Sequence, residues 1–188
     1  MKHLFRRNFI LASLCSSCLL FTLSFTASAQ AITGDSIKVQ FIKDWERAKA
    51  YTQEYLNAMP ADKYSFKAVD SIRSFAQQML HLASGNLGLV TAASGGTPPF
   101  SPQGLEGRAT AQTKDSVVSY VTQSYDYAIA QAKAIDPNKL GERTGRGNFI
   151  QTRFNWWLKA FEHQTHHRGQ TTIYIRLLGI RPPGEKLF

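Results

Sequence analysis

Cysteine is nearly absent. Of 188 residues only Cys15 and Cys18 carry a thiol, and both fall within residues 1–29, a stretch that reads as an export signal. A chain that has lost this stretch has no thiol, which excludes a disulfide framework, a thiolate-held zinc and a cysteine nucleophile. A membrane span is also missing. The longest apolar run, Phe9 to Phe25, has 17 residues and is broken by five Ser and Thr, short of the ~20 strongly apolar residues that cross a bilayer. No run of Lys and Arg interleaved with aromatics occurs, which argues against a specific nucleic-acid partner. With Lys2, Arg6 and Arg7 set aside, 19 of the 22 Lys and Arg remain against 13 Asp and Glu, so the excess falls from +9 to +6. Those charges are scattered and serve solubility.

The first residues form an address. A basic start is followed by the apolar run, and Ala27-Ser28-Ala29 supplies the small-x-small pattern that a signal peptidase accepts. Cleavage after Ala29 leaves Gln30 first, with residues 30–188 as one exported domain, periplasmic or secreted, and no stable membrane span. Arg6-Arg7-Asn8-Phe9-Ile10 resembles a twin-arginine signal without its usual flanking Ser and Lys. General export of an unfolded chain accounts for the same residues.

Beyond the leader no strand-like alternation stands out, and helical spacing dominates. Phe41, Trp45, Ala48, Thr52, Tyr55 and Met59 trace one face of a helix over 36–59, closed by Pro60. Asp70 is the expected N-cap of a second helix carrying Ile72, Phe75, Met79 and Leu82, which Gly85 and Gly88 should weaken beyond Ser84. A Gly/Pro-rich connection over 94–113 leads to a third helix, Lys114 to Ile135, with Val117, Val118, Tyr120, Val121, Tyr125, Ala128 and Ile129 as its core. A glycine-containing loop, Gly141 to Gly147, precedes a last helix from Phe149 to Leu178. The expectation is an all-α four-helix bundle with a long crossover between helices 2 and 3.

Histidine carries the chemistry. Of the four beyond the leader, His163, His166 and His167 crowd into five residues. On a helix His163 and His167 lie about 40° apart, one turn from each other on one face, the arrangement that chelates a divalent cation. That face also carries Trp156, Ala160, Gln170, Tyr174 and Leu177, so the pair points inward. His166 lies about 60° to the other side and is a substitute ligand or a neighbour of the pair. A further ligand must come from another helix, and periodicity leaves His81 at the edge of its packed face. Glu54, Glu162 and Asp70 are alternative oxygen donors.

Four pieces together resemble the DinB-like family of metal-binding four-helix bundles. They are Met59-Pro60-Ala61-Asp62-Lys63-Tyr64-Ser65-Phe66, Met79-Leu80-His81-Leu82-Ala83, His163-Gln164-Thr165-His166-His167-Arg168-Gly169-Gln170, and Arg176-Leu177-Leu178-Gly179-Ile180-Arg181-Pro182-Pro183. The likeness runs from about Ile37 to Pro183. It implies a metal held by His81, His163 and His167, a long crossover after the second helix, and a homodimer. Gln78 stands where relatives often carry an apolar residue.

Three neutral imidazoles leave the charge of a divalent cation uncompensated and coordination positions open for water or substrate. Zinc, nickel, manganese and iron all fit a set without carboxylates, although the two-His-one-carboxylate iron arrangement is not matched. Two function classes follow: a metal-dependent hydrolase or transferase acting on a small molecule, or a non-catalytic bundle whose metal is structural, carried or sensed. Some relatives use small thiol cofactors, which an exported protein would rarely meet. The leader is directly testable: mass spectrometry of the exported protein should show a chain beginning at Gln30, and an intact Met1 in that pool would refute the cleavage.

Overall fold

The structure, a computed structural model, describes residues 31–188; the expected leader lies outside them. Hydroxyl side chains set where its four long helices begin. Thr33 opens α1 (Gly34–Ala58), Ser74 opens α2 (Phe75–Ser94), Thr113 opens α3 (Lys114–Lys133) and Thr152 opens α4 (Arg153–Leu177). Each accepts a hydrogen bond from the backbone N–H three residues on, satisfying a donor that the first turn leaves free. At Thr33 and Ser74 the third helical residue, Ser36 or Gln77, returns the bond and closes a capping box. Pro60 follows α1 and holds Met59 extended. Gly95, at φ 78°, ends α2 in the left-handed conformation that glycine tolerates best.

The second helix departs from expectation at both ends. It starts at Phe75, capped by Ser74, so Asp70 and Ile72 lie in the preceding loop and are exposed. It also continues unbroken through Gly85 and Gly88 to Ser94. Packing offsets the poor helix propensity of glycine here: α2 lies against α4, α3 and the crossover, and 12 of its 20 residues are buried.

Helix α2 packs on α3 and α4, and α1 packs on the same two helices, so α1 and α2 occupy opposite corners. Two long links follow from this diagonal placement. Residues 59–74 join α1 to α2 through the 3₁₀ turn Ala61–Lys63, and residues 95–113, the expected crossover, join α2 to α3. Leu105 of the crossover is fully buried. Trp45 fills the bundle centre, with Tyr125, Trp157 and Phe161 edge-on to it at ring-centroid distances of 5.8, 6.2 and 5.6 Å.

The all-helical reading of the α3 to α4 link needs correction. Residues expected as a loop and as the first turn of the last helix form a β-hairpin, with β1 (Arg143–Arg146) antiparallel to β2 (Phe149–Thr152). Gly147 and Asn148 make its two-residue turn, in which Gly147 alone has positive φ, 59°; that is the type II′ geometry. The hairpin docks on the end of α2. Thr144 Oγ1 donates to the Ala92 carbonyl at 2.6 Å and Arg153 to the Ala93 carbonyl at 2.9 Å, supplying partners to carbonyls of the last turn. Among the described residues no helix is long and apolar enough to cross a membrane.

The cap assignment yields a direct contrast. Ser74→Ala should cost about 1 kcal/mol in urea unfolding, while Asp70→Ala, outside the helix, should stay within about 0.5 kcal/mol of the parent.

Candidate metal centre

The site lies where α2 faces α4. A Cβ built on Gly85 would stand 2.0 Å from Cε1 and 2.2 Å from Nδ1 of His163. Only a residue without a side chain lets that ring lie against the α2 backbone. One turn on along α4 is His167, and across on α2, one turn before Gly85, is His81. The three rings converge, with centroid separations of 5.2 Å for His81 to His163, 4.5 Å for His81 to His167 and 4.4 Å for His163 to His167. One ring nitrogen from each lies within 4.8 Å of the others, so the group could hold a metal ion.

Neighbouring side chains orient two of the rings. Glu106, on the crossover, accepts a hydrogen bond from His81 Nδ1 at 3.1 Å. An ionised carboxylate only accepts, so Nδ1 carries a proton in this contact and Nε2 is the nitrogen that could ligate. Glu106 is ion-paired with Arg73. Burial raises its pKa, but the Arg73 and His81 contacts outweigh this and hold the carboxyl below its ordinary value. Arg73 is anchored in turn by its carbonyl, which accepts from Tyr174 of α4 at 2.7 Å. For His167, Gln78 and Gln170 meet Nδ1 at 2.9 and 3.0 Å. Nδ1 donates to Gln170 Oε1, which also accepts from the Gln78 amide, so Gln78 holds the acceptor and not the ring, and the Nε2 lone pair of His167 is left available.

His163 has no such support. Its Nδ1 is buried without a hydrogen-bond partner among the described residues, the state that coordination to a cation would relieve. Burial first, and then the neighbouring His81, His166, Arg146 and Arg73, push the His163 pKa down to about 4. Burial followed by His163, His81 and His166 pushes His167 down to about 3. Both rings are therefore neutral at neutral pH, the form in which imidazole binds metals.

The other sequence candidates do not join the cluster. His166 packs edge-on against His167, at 4.8 Å between centroids, but is exposed. Glu54 pairs with Lys186, and Glu162 and Asp70 are exposed. Gln170 and Leu177 are also exposed rather than inward. Sequence reasoning missed Glu106, although it is the only acid between Asp70 and Asp115. Gln78 is explained: it is buried, and its amide donates to Gln170 Oε1, the acceptor of His167 Nδ1.

A cleft of about 760 Å³ opens beside His81 and His163, walled by α2, the crossover from Pro98 to Glu106, and β1 with Arg146. A second hollow of about 680 Å³ reaches the opposite side of the cluster at Gln78 and His167.

The DinB family model matches residues 30–187. The chain belongs to the DinB family. Two solved structures share its fold. A DinB-like protein from Bacillus cereus ATCC 10987 superposes with a TM-score of 0.67 at 14% identity, covering 78% of this chain and 95% of that one. A DinB-like protein from Bacillus subtilis gives a TM-score of 0.61 at 17% identity, covering 79% and 96%. No curated protein is significantly similar to the chain.

The depressed histidine pKa values in this DinB bundle set the sign of a pH effect. Between about pH 4 and 6.5 the unfolded chain protonates these rings and the folded one does not, so stability of the metal-free protein is full above about pH 6.5 and falls as the pH drops. Thermal unfolding of metal-free protein should show the midpoint falling from pH 7 to pH 5, with a flatter profile in His163→Gln and His167→Gln. A parent profile as flat as the variants' would show that the rings titrate normally.

Proposed function

We propose that this DinB protein is exported and holds a divalent cation on His81, His163 and His167, for hydrolytic or group-transfer chemistry on a small molecule that enters the cleft beside them. One observation carries the reading. Three imidazoles, two of them neutral by burial, converge on one point at the wall of an open cleft. A cation bound there would supply Lewis-acid polarisation of a substrate, with coordination positions left open. The protein's own contribution is orientation: Glu106 and the Gln78–Gln170 pair fix two rings, and the α2 backbone at Gly85 seats the third. Closed structural zinc sites use four protein ligands, and three histidines make up the cluster among the described residues.

Glu106 favours a second reading. Among the described residues it is the carboxylate hydrogen-bonded to the cluster, and its oxygens are engaged by Arg73 and His81. Among the described residues that leaves no unengaged carboxylate hydrogen-bonded to the centre, as expected of a bundle that carries, senses or is stapled by its metal. Elemental analysis of protein from its own compartment separates the readings, when metal content is followed against activity on esters, amides and thiol conjugates.

Single-site variants test the ligand set. His81→Ala, His163→Ala and His167→Ala should each weaken zinc binding by orders of magnitude and remove the rise in melting temperature that zinc gives the parent. His166→Ala should spare both. Titrations followed by melting curves provide the comparison, and equal losses in all four variants would mean the wrong set has been named.

A further inference from the structure

Arg146 is the unexplained charge of the cleft. It ends β1 beside the hairpin turn, and its guanidinium lies on the α2 backbone at Gly88. A Cβ built there would stand 2.9 Å from its Nη2 and 3.2 Å from its Cζ. Its guanidinium makes no hydrogen bond or ion pair among the described residues, although Arg153, which lines the same cleft, pairs with Glu142 at 3.0 Å and donates to the Ala93 carbonyl. Gly85 and Gly88 are three residues apart on one helix, so the His163 ring and the Arg146 guanidinium lie against neighbouring positions of the same face of α2. Arg146 is close enough to be among the charges that disfavour protonation of His163.

The wall of the cleft thus presents the edge of a three-histidine centre and, about one turn along, a guanidinium with free donors. The cleft's own carboxylate, Glu106, is matched by Arg73 and turned toward His81. A guanidinium offers a planar fork of N–H donors shaped for the two oxygens of a carboxylate or phosphate. We infer that the small molecule this cleft takes is an anion, whose carboxylate or phosphate group is held by Arg146 while a neighbouring part of it reaches the histidine centre. The inference rests on the metal reading above and adds the substrate class. Gly88 is then more than a packing glycine, because a side chain there would push the guanidinium off the α2 wall.

The test measures anion binding rather than turnover. Zinc-loaded and metal-free protein are titrated calorimetrically with inorganic phosphate, acetate and the neutral amide acetamide, each against the parent, Arg146→Gln, Arg146→Lys and Gly88→Ala. The phosphate and acetate arms tell the two anion chemistries apart. The expected result is that at least one anion binds zinc-loaded parent well ahead of acetamide. Arg146→Gln should lose tenfold or more of that affinity with zinc affinity no weaker than the parent's, Arg146→Lys should recover part of it, and Gly88→Ala should lose some without any change of charge. An anion that binds directly to the zinc alone would show equal affinity in parent and Arg146→Gln, and that outcome overturns the inference while leaving the metal reading intact. If the parent takes up no zinc, the metal reading fails. The metal-free titration then decides the Arg146 subsite by itself, and anion binding that is absent or indifferent to Arg146→Gln overturns it. Melting curves of each variant at matched pH identify any loss that comes from unfolding.

Discussion

The contact between the His163 ring and the backbone of Gly85 is the constraint on which the site depends. Helix α2 gives up a side chain at a half-buried helical position, at an intrinsic cost of about 1 kcal/mol relative to alanine, and α4 fills the space with an imidazole. Any Cβ at position 85 would lie within 2.0 Å of that ring, so the ring would have to turn away and the three histidines would lose their common point. Gly88, one turn further, repeats the device for Arg146. Two missing side chains on one face of α2 therefore place the third ring of the cluster and the guanidinium beside it, and the cleft opens over the same face.

A close approach fixes a distance, but α4 must also be held against rotation. Arg168, next in sequence to His167, is buried 4.5 Å from the centroid of the Tyr51 ring. It donates to Gln164 Oε1 at 2.7 Å, which also accepts from the Tyr125 hydroxyl at 2.8 Å, and that hydroxyl meets Thr52 at 2.7 Å. The charge has no carboxylate partner among the described residues; an aromatic face and neutral oxygens hold it instead. Such a network tolerates little slippage, since each displaced group would leave a buried polar atom unpaired. It ties α4 to α1 and α3 on one side, which leaves His163 and His167 facing α2 on the other.

What can be read from the sequence follows the reach of each signal. Period and caps are local, so spacing alone reveals four helices and an inward-facing i,i+4 pair on the last of them. His81 is not legible from periodicity, because α2 is buried on more than one side and its apolar residues do not form a single stripe; the family motif places it. Glycine marks the crossover after Ser94 and the end of α4 at Gly179, and misleads within α2. Read as helix weakeners, Gly85 and Gly88 are contact points, and only the partner helix and hairpin reveal this. The Gly147–Asn148 pair is a hairpin signal, obscured because Phe149 and Ile150, both exposed, continue the apolar pattern of the helix that follows. Glu106 and Arg146 lie on connections, where no period predicts which way a side chain is carried.

The division between helices and loops has an electrostatic consequence. Rigid elements supply the three imidazoles, and the connections supply the charges: Glu106 from the crossover, Arg73 from the approach to α2, Arg146 from the hairpin. Arg73 and Arg146 disfavour a positive charge at His163, and Glu106, hydrogen-bonded to His81 and ion-paired with Arg73, offsets part of this. Hard cations such as magnesium or calcium, which depend on anionic oxygen ligands, gain little there. Borderline metals that bond well to imidazole offset the rest through the strength of those bonds. The same positive charges would act in the opposite sense on an anion, so one arrangement would bear both on the metal such a cluster could hold and on the molecules drawn to it.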